Sequence, residues 1–284
     1  MTTYGVTGAT GKLGRFVLDE LLQKVSASDI IAFGRDLSPL DEYKAKGVTA
    51  RTMDYDEADT LVAALEGVDR LLLISGSALG ERPRQHGNVI EAARLAGVSY
   101  IAYTSILDAE NTPIRLGAEH KATEDKLASS GIAYDLCRMG WYNENYVGSL
   151  KPQVEAGVIT GAQGQGRISS ASRADLAAGC AWVLVNGEGG EIYNFAGDES
   201  WTMEDFAAEV SRQTGKEVRY QDMPETDYAN SLIGIGLPDM IAAVVANSAW
   251  ATSQHALHDD SRKLSELTGR PTTPISETIR QTLG

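Results

Sequence analysis

Three regularly spaced glycines near the N-terminus constrain the fold more than any other feature of this chain. Gly8, Gly11 and Gly14 directly follow a short β-prone run, and an amphipathic segment from Phe16 to Leu22 follows them. This order predicts a strand, a tight turn and a helix, with Gly14 placed where the helix packs on the strand. Turn glycines let the backbone approach a pyrophosphate, and a helix N-terminus offers it unpaired N–H groups. We therefore predict a dinucleotide site, the plainer alternative being a turn without a ligand.

The end of the predicted second strand indicates which dinucleotide is bound. NAD sites usually place Asp or Glu there for the ribose hydroxyls, whereas NADP sites place Arg for the 2′-phosphate. Here Gly34 is followed by Arg35 and then by Asp36. The planar guanidinium of Arg35 suits a phosphate, although a solvated loop arginine is the alternative. The order predicts NADPH and leaves NADH open, because a shift of one residue would bring Asp36 to the ribose.

Short apolar runs alternate with helical patterns from Gly5 to Cys137. Alternating βα units with apolar strands form a parallel sheet that is covered by helices on both faces. The predicted fold class is therefore α/β, a Rossmann-type doubly wound parallel sheet. The predicted strands are Tyr4–Val6, Ile30–Phe33, Val48–Thr52, Arg70–Ile74, Tyr100–Thr104 and Ala133–Cys137. The predicted helices are Leu13–Lys24, Pro39–Lys46, Ala58–Glu66, Arg84–Ala96 and Ala118–Ser129.

The alternation loosens beyond Tyr142. The later pattern predicts helices at Asp175–Val185 and Met203–Thr214, a strand at Ile192–Phe195, and mainly helical segments at Glu225–Ala246 and Arg262–Leu283. We predict an NADP-binding Rossmann domain at residues 1–140 and a smaller, mainly helical C-terminal substrate lobe at residues 141–284. The two are expected to be intertwined, with the lobe passing over the carboxyl ends of the strands. Ligands of open α/β sheets bind at this edge, so the lobe is expected to shape the substrate pocket.

The composition argues against several classes of function. A net charge of −14 disfavours nucleic acid as a partner, since a phosphate backbone requires a basic face. No apolar run approaches the roughly 18 residues that a membrane span needs, and we see no signal peptide. Cys137 and Cys180 lie far apart, which fits a reducing cytoplasm and small buried side chains. The histidines show no convincing metal-ligand spacing, so we predict no metal site.

The region after the fifth predicted strand limits the reaction. The chain resembles the extended and atypical short-chain dehydrogenases, which usually carry Ser or Thr after this strand and Tyr-x-x-x-Lys on the next helix. Thr104 and Ser105 supply the first element, but Glu119–Glu124 lies where the second is expected and contains no tyrosine. Without that tyrosine, exchange between alcohols and ketones lacks a matched acid. Acceptors whose reduced form is a stabilised anion, such as quinones or conjugated dyes, need no such acid.

Longer motifs narrow the resemblance. Val6–Gly14, Leu71–Ser75, Tyr103–Ser105, Arg138–Tyr146 and Ser172–Asp175 are similar to segments of the NmrA-like atypical short-chain reductases, and within them to bacterial quinone reductases and triphenylmethane reductases. The resemblance implies NADPH-dependent reduction of a quinone. Its alternatives are a non-catalytic NAD(P)-sensing regulator and a reductase of another conjugated acceptor, such as a triphenylmethane dye. The oligomeric state is not predicted.

The resemblance also implies a set of cofactor-binding residues. Ser75, Gly76 and Ser77 are expected to lie beneath the nicotinamide ribose. The segment from Met139 to Glu144 is expected to line the nicotinamide end of the cofactor and the substrate pocket. The implied set is Gly8, Ala9, Thr10, Gly11, Lys12, Leu13, Arg35, Ser75, Gly76, Ser77, Met139, Gly140, Trp141, Tyr142, Asn143 and Glu144.

The residue types in the segment after the sixth predicted strand suit a flat substrate. Trp141, Tyr142 and Tyr146 can stack on a quinone ring and Asn143 can donate to its oxygens, the alternative being an aromatic packing cluster. Tyr142 is a candidate proton donor, provided that a neighbouring cation lowers its pKa. Ser170 is a further candidate for facing the substrate.

Two further candidates come from the first half of the chain. His120 either protonates a quinone oxygen or is an exposed helix residue that pairs with Glu124. Asp54 either accepts from the adenine amino group or caps the following helix.

Overall fold

The computed structural model describes all residues from Met1 to Gly284, and strands alternate with helices through its first half. This half contains β1 (Tyr4–Val6), α1 (Lys12–Leu21), β2 (Ile30–Gly34), α2 (Asp41–Ala45), β3 (Thr49–Thr52), α3 (Ala58–Ala64), β4 (Arg70–Leu73), α4 (Arg82–Ala96), β5 (Tyr100–Ile106), α5 (Gly117–Ser129) and β6 (Ala133–Met139). The rest contains α6 (Asn143–Val147), α7 (Leu150–Ala156), β7 (Val158–Gly161), α8 (Arg173–Asn186), β8 (Ile192–Phe195), α9 (Met203–Thr214), β9 (Arg219–Asp222), α10 (Glu225–Gly234), α11 (Asp239–Ser253), α12 (Lys263–Thr268) and α13 (Ile275–Leu283).

A seven-stranded sheet has the order β3-β2-β1-β4-β5-β6-β8. Neighbouring strands from β3 to β6 pair in parallel, so the predicted α/β doubly wound fold is confirmed. The chain winds outward from β1 to β3 on one side and from β4 onward on the other. The strand order therefore reverses between β1 and β4, the place where open α/β sheets bind their ligands.

The central strands are apolar on both faces because helices cover both sides of the sheet. Every residue of β2 and β5 is buried, and the core includes Phe33, Leu71 and Ile101. Left-handed glycines follow the helices that precede β3, β5 and β6. Gly47, Gly97 and Gly131 have φ angles of 101°, 80° and 77°, a conformation that is typical of glycines at the C-terminal ends of helices.

The chain forms two compact units. The first contains Met1–Ala109, Ala118–Met139 and Arg173–Tyr193, and the second contains Glu110–Gly117, Gly140–Ser172 and Asn194–Gly284. None of the helices combines the length and the apolar character that crossing a membrane requires.

The second unit is mainly helical, as predicted, and it also contains strands that the sequence pattern did not reveal. β7 and β9 pair in parallel as a separate two-stranded sheet. A core that includes Trp201, Phe206 and Ile159 holds this unit together. The predicted helix at Met203–Thr214 is α9, and its N-terminus carries a capping box between Thr202 and Asp205.

Candidate nucleotide-binding site

The turn between β1 and α1 requires glycine at Gly8 for its backbone conformation and at Gly14 for lack of space. Gly8 has a φ of 58°, and the N–H of Gly11 donates to the Gly8 carbonyl at 3.0 Å. A Cβ on Gly14 would lie 2.3 Å from the Gly8 carbonyl oxygen and 2.6 Å from Cα of Ala9. Gly14 thus permits the close packing of α1 on the turn, as predicted. α1 begins without a side-chain cap or an acidic residue in its first turn, an arrangement suited to an anionic ligand.

Arg35 and Asp36 have different surroundings beyond β2. The Asp36 carboxylate accepts from the backbone N–H and the hydroxyl of Ser38, both at 2.9 Å, and these hydrogen bonds lower its pKa. The carboxylate is therefore engaged in a turn of its own loop. Arg35 is exposed next to the turn, because Thr10 packs on Gly34, where a Cβ would lie only 2.6 Å from Thr10 Cγ2. This geometry favours Arg35 over Asp36 as the group available to a ribose phosphate.

Asp54 and Asp56 lie in the loop between β3 and α3. Asp54 accepts from the N–H of Asp56 at 3.1 Å, whereas Glu57 occupies the N-cap position of α3. The alternative that Asp54 caps this helix is therefore wrong. Asp56 bonds to Arg84 and Gln85, and its pKa is lowered by Arg84 and, more weakly, by the charge of Arg35. The sequence analysis missed Asp56, because an acidic loop residue carries no signal of its partner.

The loop after β4 is fixed by contacts to two other elements. The N–H of Ser75 donates to Thr104 Oγ1 at 2.8 Å, and the N–H of Gly76 donates to His86 Nε2 at 3.0 Å. Arg82 Nε donates to the Gly76 carbonyl at 2.6 Å. Thr104, which stands where the short-chain dehydrogenases carry Ser or Thr, thus holds the backbone of this loop. No sequence pattern indicates that His86 contacts this loop.

His120 and Glu124 point into the first unit rather than to solvent. His120 is 8% exposed and its Nδ1 lies 2.8 Å from the Tyr103 hydroxyl. Glu124 accepts from Ser105 Oγ at 2.6 Å and from Arg138 Nε and Nη2 at 3.0 and 2.6 Å. The alternative of an exposed His120 paired with Glu124 is therefore wrong. Burial, followed by Arg82 and His86, lowers the pKa of His120 to about 3, so His120 is neutral at pH 7.

Asn143 and Ser170 bond to each other inside the second unit. Ser170 Oγ donates to Asn143 Oδ1 at 2.6 Å, and Asn143 Nδ2 donates to the Thr273 carbonyl and to Thr278 Oγ1, both at 3.1 Å. Trp201 Nε1 donates to Ser170 Oγ at 3.2 Å. Asn143 is fully buried and its amide group is engaged on both sides. The geometry gives no support to the predictions that Asn143 donates to a quinone and that Ser170 faces the substrate.

The aromatic residues of this segment divide into two groups. Tyr146 packs edge-on against Trp201 at 4.7 Å and lies 6.3 Å from Phe206, which is the packing cluster that we held as the alternative. Trp141 and Tyr142 are half-buried directly before α6, as is Glu144 in its first turn. Met139 is buried at the end of β6, and the N–H of Gly140 donates to the Phe195 carbonyl at 2.8 Å.

Comparisons with known proteins agree with this geometry. The family described as NAD(P)H-binding matches residues 8–186. Quinone oxidoreductase 2 of Escherichia coli (strain K12) is 47% identical over 275 residues, which cover 96% of each chain. The structure of E. coli NADPH-dependent quinone oxidoreductase QOR2 complexed with NADPH has a TM-score of 0.97 and 46% identity, over 99% of this chain and 100% of the other.

A second solved structure is also similar over its whole length. The Citrobacter sp. triphenylmethane reductase complexed with NADP(H) has a TM-score of 0.94 and 35% identity, over 99% of this chain and 100% of that one. These similarities confirm the resemblance predicted from the motifs. The chain therefore belongs to the NAD(P)H-binding family.

Proposed function

We propose that this protein is an NADPH-dependent reductase that transfers a hydride to a quinone and releases the hydroquinone. The observation that carries the proposal is the 47% identity to E. coli quinone oxidoreductase 2 over 96% of both chains. The structural similarity to the NADPH complex of QOR2 extends this support to the cofactor. The absence of a Tyr-x-x-x-Lys pair fits the same reaction, because a quinone does not need a matched acid at the moment of reduction.

The glycine turn fits the pyrophosphate of NADPH, since the left-handed Gly8 and the close approach at Gly14 place the turn directly on the uncapped N-terminus of α1. We assign the pyrophosphate to Gly8, Ala9, Thr10, Gly11, Lys12 and Leu13, the 2′-phosphate to Arg35 and the adenine to Asp54. Ser75, Gly76 and Ser77 would hold the nicotinamide ribose, and the segment from Met139 to Glu144 would line the nicotinamide end. When bound, NADPH supplies the hydride, and the residues of the chain orient it and exclude water.

We further propose that residues 1–140 bind NADP and that the substrate lobe predicted at residues 141–284 is supplied by its segments in the second unit, since Arg173–Tyr193 belongs to the first unit. Trp141 and Tyr142 are the side chains that we assign to the quinone ring, because both are aromatic and half-buried and follow the end of β6. Tyr142 remains the candidate proton donor. His120 would have to donate as neutral imidazole, a much weaker acid than imidazolium, so solvent or Tyr142 is the better source of the proton.

A cytoplasmic location is part of the proposal. Cys137 and Cys180 are both free and buried, which suits a reducing compartment.

Oxidation of NADPH tests the proposed activity. The near-ultraviolet absorbance of NADPH is followed with and without a small benzoquinone or naphthoquinone, with NADH in parallel and a control without enzyme. Saturable turnover is expected. Tight NADPH binding without turnover would refute the quinone acceptor and favour a regulator. A triphenylmethane dye is included as a further acceptor, because the Citrobacter reductase is 35% identical.

Arg35→Ala tests the assignment of the 2′-phosphate. Losing a charge-assisted partner is expected to weaken NADPH about ten- to hundred-fold while NADH binding stays unchanged. Arg94→Ala is the matched control, because Arg94 pairs with Glu91 on the exposed surface of α4. Isothermal titration of each variant with both cofactors measures the effect. Equal losses for NADPH and NADH would show that Arg35 does not read the phosphate.

A further inference from the structure

The backbone N–H and the carbonyl of Gly76 are both held by side chains from the first turns of α4. His86 Nε2 accepts from its N–H at 3.0 Å, and Arg82 Nε donates to its carbonyl at 2.6 Å. His86 is completely buried and Arg82 is 8% exposed. Arg82 and His86 are four residues apart, so they lie on one face of the helix. A surface helix seldom buries two ionisable side chains, and here both bond to the backbone of the same residue.

The hydrogen bonds of His86 define a single neutral tautomer. Thr123 Oγ1 donates its only hydrogen to the Glu119 carbonyl at 3.0 Å, so at 2.9 Å from His86 Nδ1 it can only accept. Nδ1 therefore carries the hydrogen and Nε2 presents its lone pair to Gly76. Burial and the charge of Arg82 lower the pKa of His86 to about 4, which keeps this acceptor available at pH 7. The hydrogen bonds thus all point the same way: Gly76 donates to His86, His86 donates to Thr123, and Thr123 donates to the Glu119 carbonyl.

The position of the Ser75–Ser77 loop at the edge of the sheet indicates which half of a dinucleotide it faces. The loop follows β4, which pairs in parallel with β1, and the glycine turn follows β1 at the same edge. Arg35 follows β2 on the opposite side of β1, and we assign it to the adenine half. A dinucleotide that crosses the reversal point between β1 and β4 brings its other half to the β4 side. The Ser75–Ser77 loop therefore lies on the nicotinamide side.

We propose that His86 is a positioning residue for the nicotinamide half of the cofactor. It acts through Gly76, whose N–H it holds, while Thr104 holds the preceding N–H of Ser75. The inference rests on the proposed cofactor but not on the acceptor. Residues buried below the loop thus set the subsite without contacting NADPH.

Two substitutions of His86 separate its hydrogen bond from its bulk. His86→Leu removes the acceptor, whereas His86→Gln keeps a carbonyl oxygen able to reach the position of Nε2. Isothermal titration is carried out with NADPH and with adenosine 2′,5′-bisphosphate, which has the adenine and the 2′-phosphate but no nicotinamide ribose. Loss of the hydrogen bond is expected to weaken NADPH about two- to tenfold in His86→Leu, with affinity largely restored in His86→Gln. Adenosine 2′,5′-bisphosphate should bind equally well to both variants and to the wild type.

A second variant protects the test against misfolding. Thr123→Val removes the partner of Nδ1 with little change in shape, and should weaken NADPH selectively if His86→Leu does not fold. Equal losses for the two ligands, or no loss for either, would overturn the inference. It would also be overturned if the wild type bound NADPH no more tightly than the half-cofactor. NADPH binding without quinone turnover would instead refute the proposed acceptor and leave the His86 comparison intact.

Discussion

The buried ion pair of Glu124 and Arg138 offers the sharpest test of how the first unit is stabilised. Glu124 accepts two hydrogen bonds from the Arg138 guanidinium and one from Ser105 Oγ, at 3.0, 2.6 and 2.6 Å. The side chains are 6% and 12% exposed, so little water can replace the carboxylate. Glu124→Leu removes one charge and leaves the other buried, which typically costs about 3–5 kcal/mol of unfolding free energy. A chain of this size should then melt about 6–20 °C lower.

A double-mutant cycle measured by urea unfolding isolates the pair. Replacing both residues by apolar ones of similar size, Glu124→Leu with Arg138→Met, should destabilise less than Glu124→Leu alone, because no uncompensated charge remains. Glu91→Leu is the control. Glu91 pairs with Arg94 at 2.6 Å on the exposed surface, and its loss should lower the unfolding free energy far less than the loss of Glu124, because water screens the pair. If the double variant lost the sum of both single effects, the reasoning from a buried pair would be refuted.

Two further predictions concern the glycine turn and the pH dependence of stability. Gly14→Ala should lower the unfolding free energy by about 1–3 kcal/mol and abolish tight NADPH binding, because its Cβ would lie 2.3 Å from the Gly8 carbonyl oxygen. Gly234→Ala, whose Cβ would meet nothing within 4 Å, should do neither when both are measured by thermal melting and titration. In the unfolded state His86 takes up a proton near pH 6.5, but in the folded state it does so only near pH 4. Lowering the pH through this window should therefore reduce the unfolding free energy, by about 3 kcal/mol from His86 alone. Urea unfolding of His86→Leu should show a shallower fall, and an unchanged slope would contradict the assignment.

The parallel sheet was predictable because its signals are local. Apart from β3, each strand up to β6 contains a short apolar run, and glycines in the left-handed region end several of the intervening helices. β7 and β9 were not predicted, since each has four residues and the RYQD sequence of β9 is largely exposed. A strand that packs only one partner and faces water gives no periodic pattern of apolar residues.

The candidate site was predictable only where the chemistry follows directly from sequence neighbours. The glycine turn and Arg35 belong to one βαβ unit, so spacing alone locates them. The role of His86 depends on Gly76, ten residues earlier, and on Thr123, which only the packing of α5 brings close. Asn143 looked like a donor for substrate because its partners Thr273 and Thr278 lie about half the chain away. No pattern in one sequence reveals such a contact.

The buried side chains of helix α5 limit the reductions that this protein can carry out. In the short-chain dehydrogenases that the chain resembles, this helix carries a tyrosine and a lysine four residues apart. His120 and Glu124 have the same spacing here, but Tyr103 engages one, while Ser105 and Arg138 engage the other. Side chains buried in this way position β5 and β6 and are poor proton donors, since charging or moving them would break satisfied hydrogen bonds. The reductions open to such a site are those whose product anion is stabilised before a proton arrives, and quinones belong to that class.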